Sequence, residues 1–168
     1  MRNSLRLALA GAALSAVSFG SAAHAATSAT ANASAEVLST LTLTADTPLN
    51  FGQIAANTGG SVTVNADSTT AFTGSVISTG TRAPAGFTVT GTPGASVVVS
   101  LPASATLTRT GGTETMSITN FNANPPAGFQ LAPVTGSATF GVGGTLGVAS
   151  GQAAGVYSGT FSVSVEYQ

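Results

Sequence analysis

The chain has no cysteine and no tryptophan, and its only histidine is His24. Lysine is absent too, so the four cations are Arg2, Arg6, Arg82 and Arg109. Each absence removes a class of chemistry. Without cysteine no disulfide can staple the fold, even in an oxidising compartment. Zinc wants Cys or His, and calcium wants clustered oxygens, whereas Asp46 and Asp67 each stand alone. No imidazole or lysine amine follows His24 to activate the many serines and threonines. The five carboxylates, Glu36, Asp46, Asp67, Glu114 and Glu166, are scattered singly. The expectation is a protein that is not an enzyme, with no catalytic residue, no metal and no cofactor.

Charge is scarce as well. After residue 25, two arginines stand against five carboxylates, a formal net of −3. That balance offers no basic patch for nucleic acid or anionic lipid. Tyr157 and Tyr167 are the only tyrosines, few platforms for a sugar-binding surface. Low charge does not imply disorder, which goes with low hydrophobicity and high net charge. Here 43% of the residues are hydrophobic, a share that the alanines inflate.

The first residues read as a secretory signal peptide, residues 1–25. Arg2 and Arg6 flank a polar opening, Leu7 to Phe19 is apolar, and Ala23-His24-Ala25 supplies small residues before a cut at Ala26. A cut after Ala23 and a retained anchor are the alternatives. The apolar run has 13 residues, short of the ~20 a spanning helix needs. The expectation is export through the inner membrane to the periplasm, then the cell surface or outside, with no membrane span after cleavage. Cleavage would leave an amine on Ala26, where a self-activating nucleophile needs Ser, Thr or Cys.

What remains is Val, Thr, Ile and Phe punctuated by Gly, Pro and Asn, with no capped helical stripe. The expectation is all-β. Residues 26–37 form an extended arm in which Ala29, Ala31, Ala33, Ala35 and Val37 share one parity. A disordered tail is the other reading of that stretch. Residues 38–168 form the domain, beginning with a strand that carries Leu41 and Leu43. Asp46 to Leu49 and Asn57 to Gly60 read as turns, with short strands around Ser61–Asn65, Phe72–Ile77 and Gly86–Thr90. Ser96–Leu101 is apolar enough for a central strand buried on both faces or for a strand ending at a corner. Leu107–Arg109, Gly111-Gly112 and Thr115–Phe121 read as a hairpin. Gly143-Gly144 marks a bulge or turn; Gly141–Gly147 lacks the spacing of a phosphate loop. Turn signals recurring every ~8–12 residues suit a sandwich.

The clearest strand is the last. Phe161, Val163, Val165 and Tyr167 alternate with Thr160, Ser162, Ser164 and Glu166, one apolar face against one polar face. Tyr167 is next to last and Gly155 is fourteenth from the end. In this the chain resembles subunits of the bacterial chaperone–usher pathway. Its wider frame, Leu49-Asn-Phe-Gly52, Phe87-Thr-Val-Thr-Gly91, Leu101-Pro102 and Gly155-Val-Tyr-Ser-Gly-Thr-Phe161, resembles the secreted family catalogued as domain of unknown function 4402. The resemblance implies a single immunoglobulin-like β-sandwich, pilin-like, serving as a fimbrial subunit assembled by donor-strand exchange. Its partners would be copies of itself or related subunits, a periplasmic chaperone and an outer-membrane usher. Gly155, Phe161, Val163, Val165 and Tyr167 would then belong to the chaperone and polymerisation strand, and Ala29 to Val37 to the donor arm. The alternative is a self-contained secreted envelope or matrix sandwich that does not polymerise.

Overall fold

The computed structural model of the protein describes residues 27–126 and 128–168. The predicted leader, residues 1–25, lies outside the described residues, as does Ala26. Contacts divide the chain between Ala35 and Glu36. Residues 27–35 carry no strand, and every one is exposed.

From Glu36 onward the described chain is all-β, without helix, and consistent with the predicted β-sandwich. Its strands are β1 (Thr42–Thr47), β2 (Gln53–Val64), β3 (Thr70–Thr79), β4 (Ala85–Thr90), β5 (Ser96–Ser100) and β6 (Ser104–Arg109). They continue with β7 (Thr115–Asn124), β8 (Gly128–Gln130), β9 (Ser137–Val148), β10 (Tyr157–Ser158) and β11 (Ser164–Tyr167). One sheet runs in the order β1-β4-β9-β7-β6-β10, with the β2–β3 hairpin joined to it through β9; the second runs β11-β5-β8. All pairings are antiparallel.

The long strand β9 curls the large sheet by changing neighbours. Its first half pairs with β4, ending at Val142 opposite Ala85, and its second half pairs with β2 from Gly144 opposite Val64. Gly143-Gly144 therefore sits inside a strand at the point of exchange. A Cβ on Gly143 would press on the Val64 carbonyl, and one on Gly144 would lie 2.9 Å from Ile118 Cγ2.

Two apolar clusters fill the inside. The first gathers Phe51, Val62, Val64, Val76, Met116, Ile118, Leu146 and Val148. The second, between the two sheets, gathers Ala85, Phe87, Val89, Val97, Val99, Leu131, Phe140 and Val142. No polar or charged residue is buried among the described residues.

Three sequence expectations change in detail. Asn57–Gly60 does not turn the chain: β2 runs through it with a bulge between Ala56 and Gly60. Gly60 and Gly74 face each other there so closely that a Cβ on either would strike the other strand's backbone. Ser96–Ser100 is not buried on both faces: Val97 and Val99 are buried, Ser96 and Val98 are half-buried and Ser100 is exposed. It is the central strand of the small sheet, and Leu101-Pro102-Ala103 is the corner from which the chain continues as β6 in the large sheet. The third change concerns the C-terminal strand.

Candidate strand-binding groove

The C-terminal strand is not one ladder. β10 pairs with β6 through Tyr157↔Arg109 and Ser158↔Thr108, and β11 pairs with β5 from Ser164↔Ser100 to Tyr167↔Val97. Gly159–Val163 lies in no strand. Its partners diverge at the Leu101-Pro102-Ala103 corner, where Pro102 also has no N–H to offer. The two-face pattern nevertheless runs through the gap. Phe161, Val163, Val165 and Tyr167 are half-buried against the second cluster, while Thr160, Ser162, Ser164 and Glu166 are exposed. The Phe161 ring lies 5.0 Å from that of Phe121 and meets Phe87 edge-on at 6.3 Å, so it packs on two strands of the large sheet, β7 and β4.

Gly155 starts this segment at φ 152°, a backbone region reserved in practice for glycine. A Cβ there would stand 2.9 Å from Arg109 Cδ. Arg109 is itself fixed by a two-pronged contact: its Nε and Nη2 donate to Glu114 at 2.7 and 2.9 Å. Those hydrogen bonds hold the Glu114 carboxyl down at about 2, helped by backbone amides, and raise Arg109. Tyr157 is pinned nearby, donating to the Ala153 carbonyl at 2.7 Å and accepting from Gln152 Nε2 at 2.8 Å.

A second wall faces this segment. Among the described residues β1 pairs on one side only, with β4. Beyond it, Asn50 bridges to Ala83, and its Oδ1 accepts from the Gly52 N–H at 2.9 Å. That small turn drives Phe51 into the first cluster.

Between the walls lies an open cleft of about 930 Å³, bounded by residues 45–55 on one side and 152–161 on the other. Leu107, Met116, Ile118, Leu146 and Phe87 supply its floor. Towards the other end of β11 the space closes. Leu41 and the Tyr167 hydroxyl converge beside Gly91, and Leu43 and Val165 pack on the same cluster. Tyr167 donates to the Ser39 carbonyl at 2.7 Å and accepts from the Thr92 N–H at 2.8 Å.

The chemistry of this cleft is narrow. It offers an apolar floor, the end of β1 at Ala45 and Thr47, and β10, whose outer edges pair with nothing among the described residues. Among the described residues no group of three His, Cys, Asp or Glu stands together. The volume is near the upper limit of small-molecule pockets, which run to ~1,000 Å³ and usually carry convergent polar groups. Two unpaired edges above an apolar floor suit an extended peptide better, since a strand satisfies both edges while its alternate side chains point down.

Of the five C-terminal positions singled out in the sequence, Gly155 and Phe161 line the cleft, whereas Val163, Val165 and Tyr167 pack on the second cluster beyond it. The arm positions Ala29, Ala31, Ala33 and Ala35 are exposed and lie in no strand, as does Val37 at the start of the second part. Sequence reasoning missed the opposite wall and the floor. Leu49-Asn-Phe-Gly52 is prominent as a motif, but nothing in it announces an edge.

The sequence profile of the family described as Domain of unknown function (DUF4402) matches residues 41–167. No curated protein matches the chain, and no solved structure matches it.

Proposed function

The chain belongs to the DUF4402 family, and from that premise we propose that it is a structural subunit of a bacterial surface fibre assembled by donor-strand exchange. One observation carries the reading: an apolar cleft open between the edges of β1 and β10, which have no partner on that side among the described residues. The occupant is the arm of another copy, residues 26–37. A ladder of ~10 hydrogen bonds, each worth ~0.5–1.5 kcal/mol net, supplies on the order of 5–15 kcal/mol before ordering costs. The arm's alanines add little, about 0.8 kcal/mol for each methyl buried. By resemblance to chaperone–usher subunits, the leader directs export. A periplasmic chaperone then covers the groove until an outer-membrane usher exchanges it for the next arm.

The arm's parity makes the test, because a one-residue shift turns every apolar group to the wrong face. Ala31→Asp with Ala33→Asp should abolish polymer and leave a folded subunit. Thr30→Asp with Asn32→Asp, on the opposite face, should polymerise almost normally. In an unheated detergent gel, exchanged fibres run as a ladder that collapses to one band on boiling. A wild-type chain that stays monomeric at high concentration would overturn the reading in favour of a self-contained secreted sandwich.

A further inference from the structure

Among the described residues β3 is a ten-residue strand hydrogen-bonded on one side only, to β2. An open edge invites another strand, and proteins commonly blunt such edges with charge, proline or brevity. The other sheet margins follow that habit. β1 holds Asp46, β11 holds Glu166, and β8 has three residues. β3, Thr-Ala-Phe-Thr-Gly-Ser-Val-Ile-Ser-Thr, has neither charge nor proline. It leaves Phe72 44% and Ile77 57% exposed.

Its charges stand just outside it, one of each sign. Asp67 lies three residues before Thr70, and Arg82 lies three residues after Thr79. Asp67 is exposed in the β2–β3 turn, where it accepts from the Thr69 N–H and hydroxyl. Arg82 is stacked over Phe72, 5.4 Å from the ring centroid, and donates to the Ser78 carbonyl. Among the described residues the one salt bridge is Arg109–Glu114, and Arg82 has no carboxylate partner among them.

We propose that β3 is a self-complementary interface, on which a second copy of this chain lays its own β3 antiparallel. Full overlap sets Thr70 opposite Thr79 of the second copy, and the same register sets Asp67 opposite Arg82. Two-fold symmetry makes that pair twice. The parallel arrangement would place Asp67 beside Asp67 and Arg82 beside Arg82, so the flanking charges select the antiparallel one. The backbone bends at Gly74, where φ is 69°, and that bend falls next to the dyad. Each straight half of one strand then meets a straight half of the other. This contact is separate from the cleft and does not depend on strand exchange.

Sedimentation of the purified chain tests it, in an Ala31→Asp/Ala33→Asp background so that arm exchange contributes nothing. The expected result is a concentration-dependent dimer. Arg82→Asp and Asp67→Arg should each weaken it about tenfold, as two attractive pairs become two repulsive ones. The double variant, with the charges swapped, should recover to within about threefold. A chain that is monomeric at every concentration overturns the proposal. So does a double variant no tighter than either single one while all three keep their melting temperature. If Asp67→Arg disturbs its turn and unfolds the protein, Asp67→Asn and Ile77→Lys decide instead. Both must weaken the dimer, and indifference to either is a refutation.

Discussion

Replacing Tyr167 by Phe removes one oxygen and leaves the ring in place against the second cluster. That oxygen accepts from the Thr92 N–H at 2.8 Å and donates to the Ser39 carbonyl at 2.7 Å. It thereby ties β11 to the segment that leads into β1, at the closed end of the cleft. A neutral hydrogen bond is worth about 0.5–1.5 kcal/mol net, and a buried group left unpaired costs more. Ser39 is exposed, so its carbonyl turns to water at little cost. The Thr92 N–H is less accessible, and Thr92 Oγ1 stays occupied by the Ser39 N–H at 2.7 Å. The sum is about 1–2 kcal/mol. For a domain of this size that lowers the melting temperature by roughly 3–8 °C. Calorimetry on the Tyr167→Phe variant gives the total, and amide exchange at Thr92 locates it. Exchange there should speed up while the β7–β9 amides keep their protection. A melting temperature within 1 °C of wild type, with Thr92 still protected, would mean that the hydroxyl fastens nothing. The closed end would then rest on ring packing alone.

Val163→Arg puts a cation on the half-buried face of the C-terminal segment and should cost about 2–3 kcal/mol, while Ser162→Arg, on the exposed face, should stay within about 0.5 kcal/mol. Equal losses in denaturant melts would refute the two-face reading. Acid should weaken the fold through Glu114, whose carboxyl is lowered from 4.5 to about 2, chiefly by hydrogen bonds from Arg109. A depressed folded-state value means stability that is full above about pH 5 and lost as the pH falls from 4.5 towards 2. Melting temperatures of wild type and Glu114→Gln should therefore differ at pH 7 and converge near pH 2; a constant gap would refute the assignment. Gly143→Ala drives a methyl into the Val64 carbonyl and the Asn65–Ala66 backbone, where nothing flexible can yield. A loss of at least ~2 kcal/mol is expected, and a variant as stable as wild type would show that β9 exchanges partners less tightly than drawn.

Local patterns in the chain were legible, and long-range pairings were not. Alternation from Thr160 to Tyr167 predicts two faces because side-chain direction is a local property of extended backbone, and burial follows it residue by residue. The broken ladder over Gly159–Val163 depends instead on a corner some sixty residues earlier, at Leu101-Pro102-Ala103. No local signal near Phe161 reports that corner. Asn57–Gly60 reads as a turn by composition, yet its glycines serve a bulge within β2, because glycine marks both tight turns and close strand crossings. The Gly111-Gly112 hairpin came out as expected, with β6 and β7 paired on either side, since a hairpin is the one pairing that sequence proximity settles. The cleft lay beyond sequence reasoning for a related reason. Its floor draws on β4, β6, β7 and β9, which topology alone brings together, and its walls are defined by strands that are not there to be read.

The arm and the cleft are mismatched in a way that bears on how such a groove would discriminate. Alanine methyls bury little, so most of the affinity of an inserted arm rests on backbone hydrogen bonds, which are nearly blind to sequence. A ladder of that kind could slide. Two features oppose sliding. Parity is one, because a slip by one residue turns the methyls outward and brings Thr30, Asn32 and Ser34 onto an apolar floor. The other is the stop at Leu41 and Tyr167, which blocks the cleft at one end and leaves slips by two residues a definite limit. Val37, the one large residue of the arm, shares parity with the alanines and so reaches the floor in the correct register. Occupancy then feeds back on the fold. A strand bound at a hundred times its Kd stabilises the domain by about 2.7 kcal/mol. A chain with no disulfide and a single internal salt bridge among its described residues has few other ways to gain as much. On the proposed reading, the filled groove is part of what keeps each subunit folded, as well as what joins it to the next.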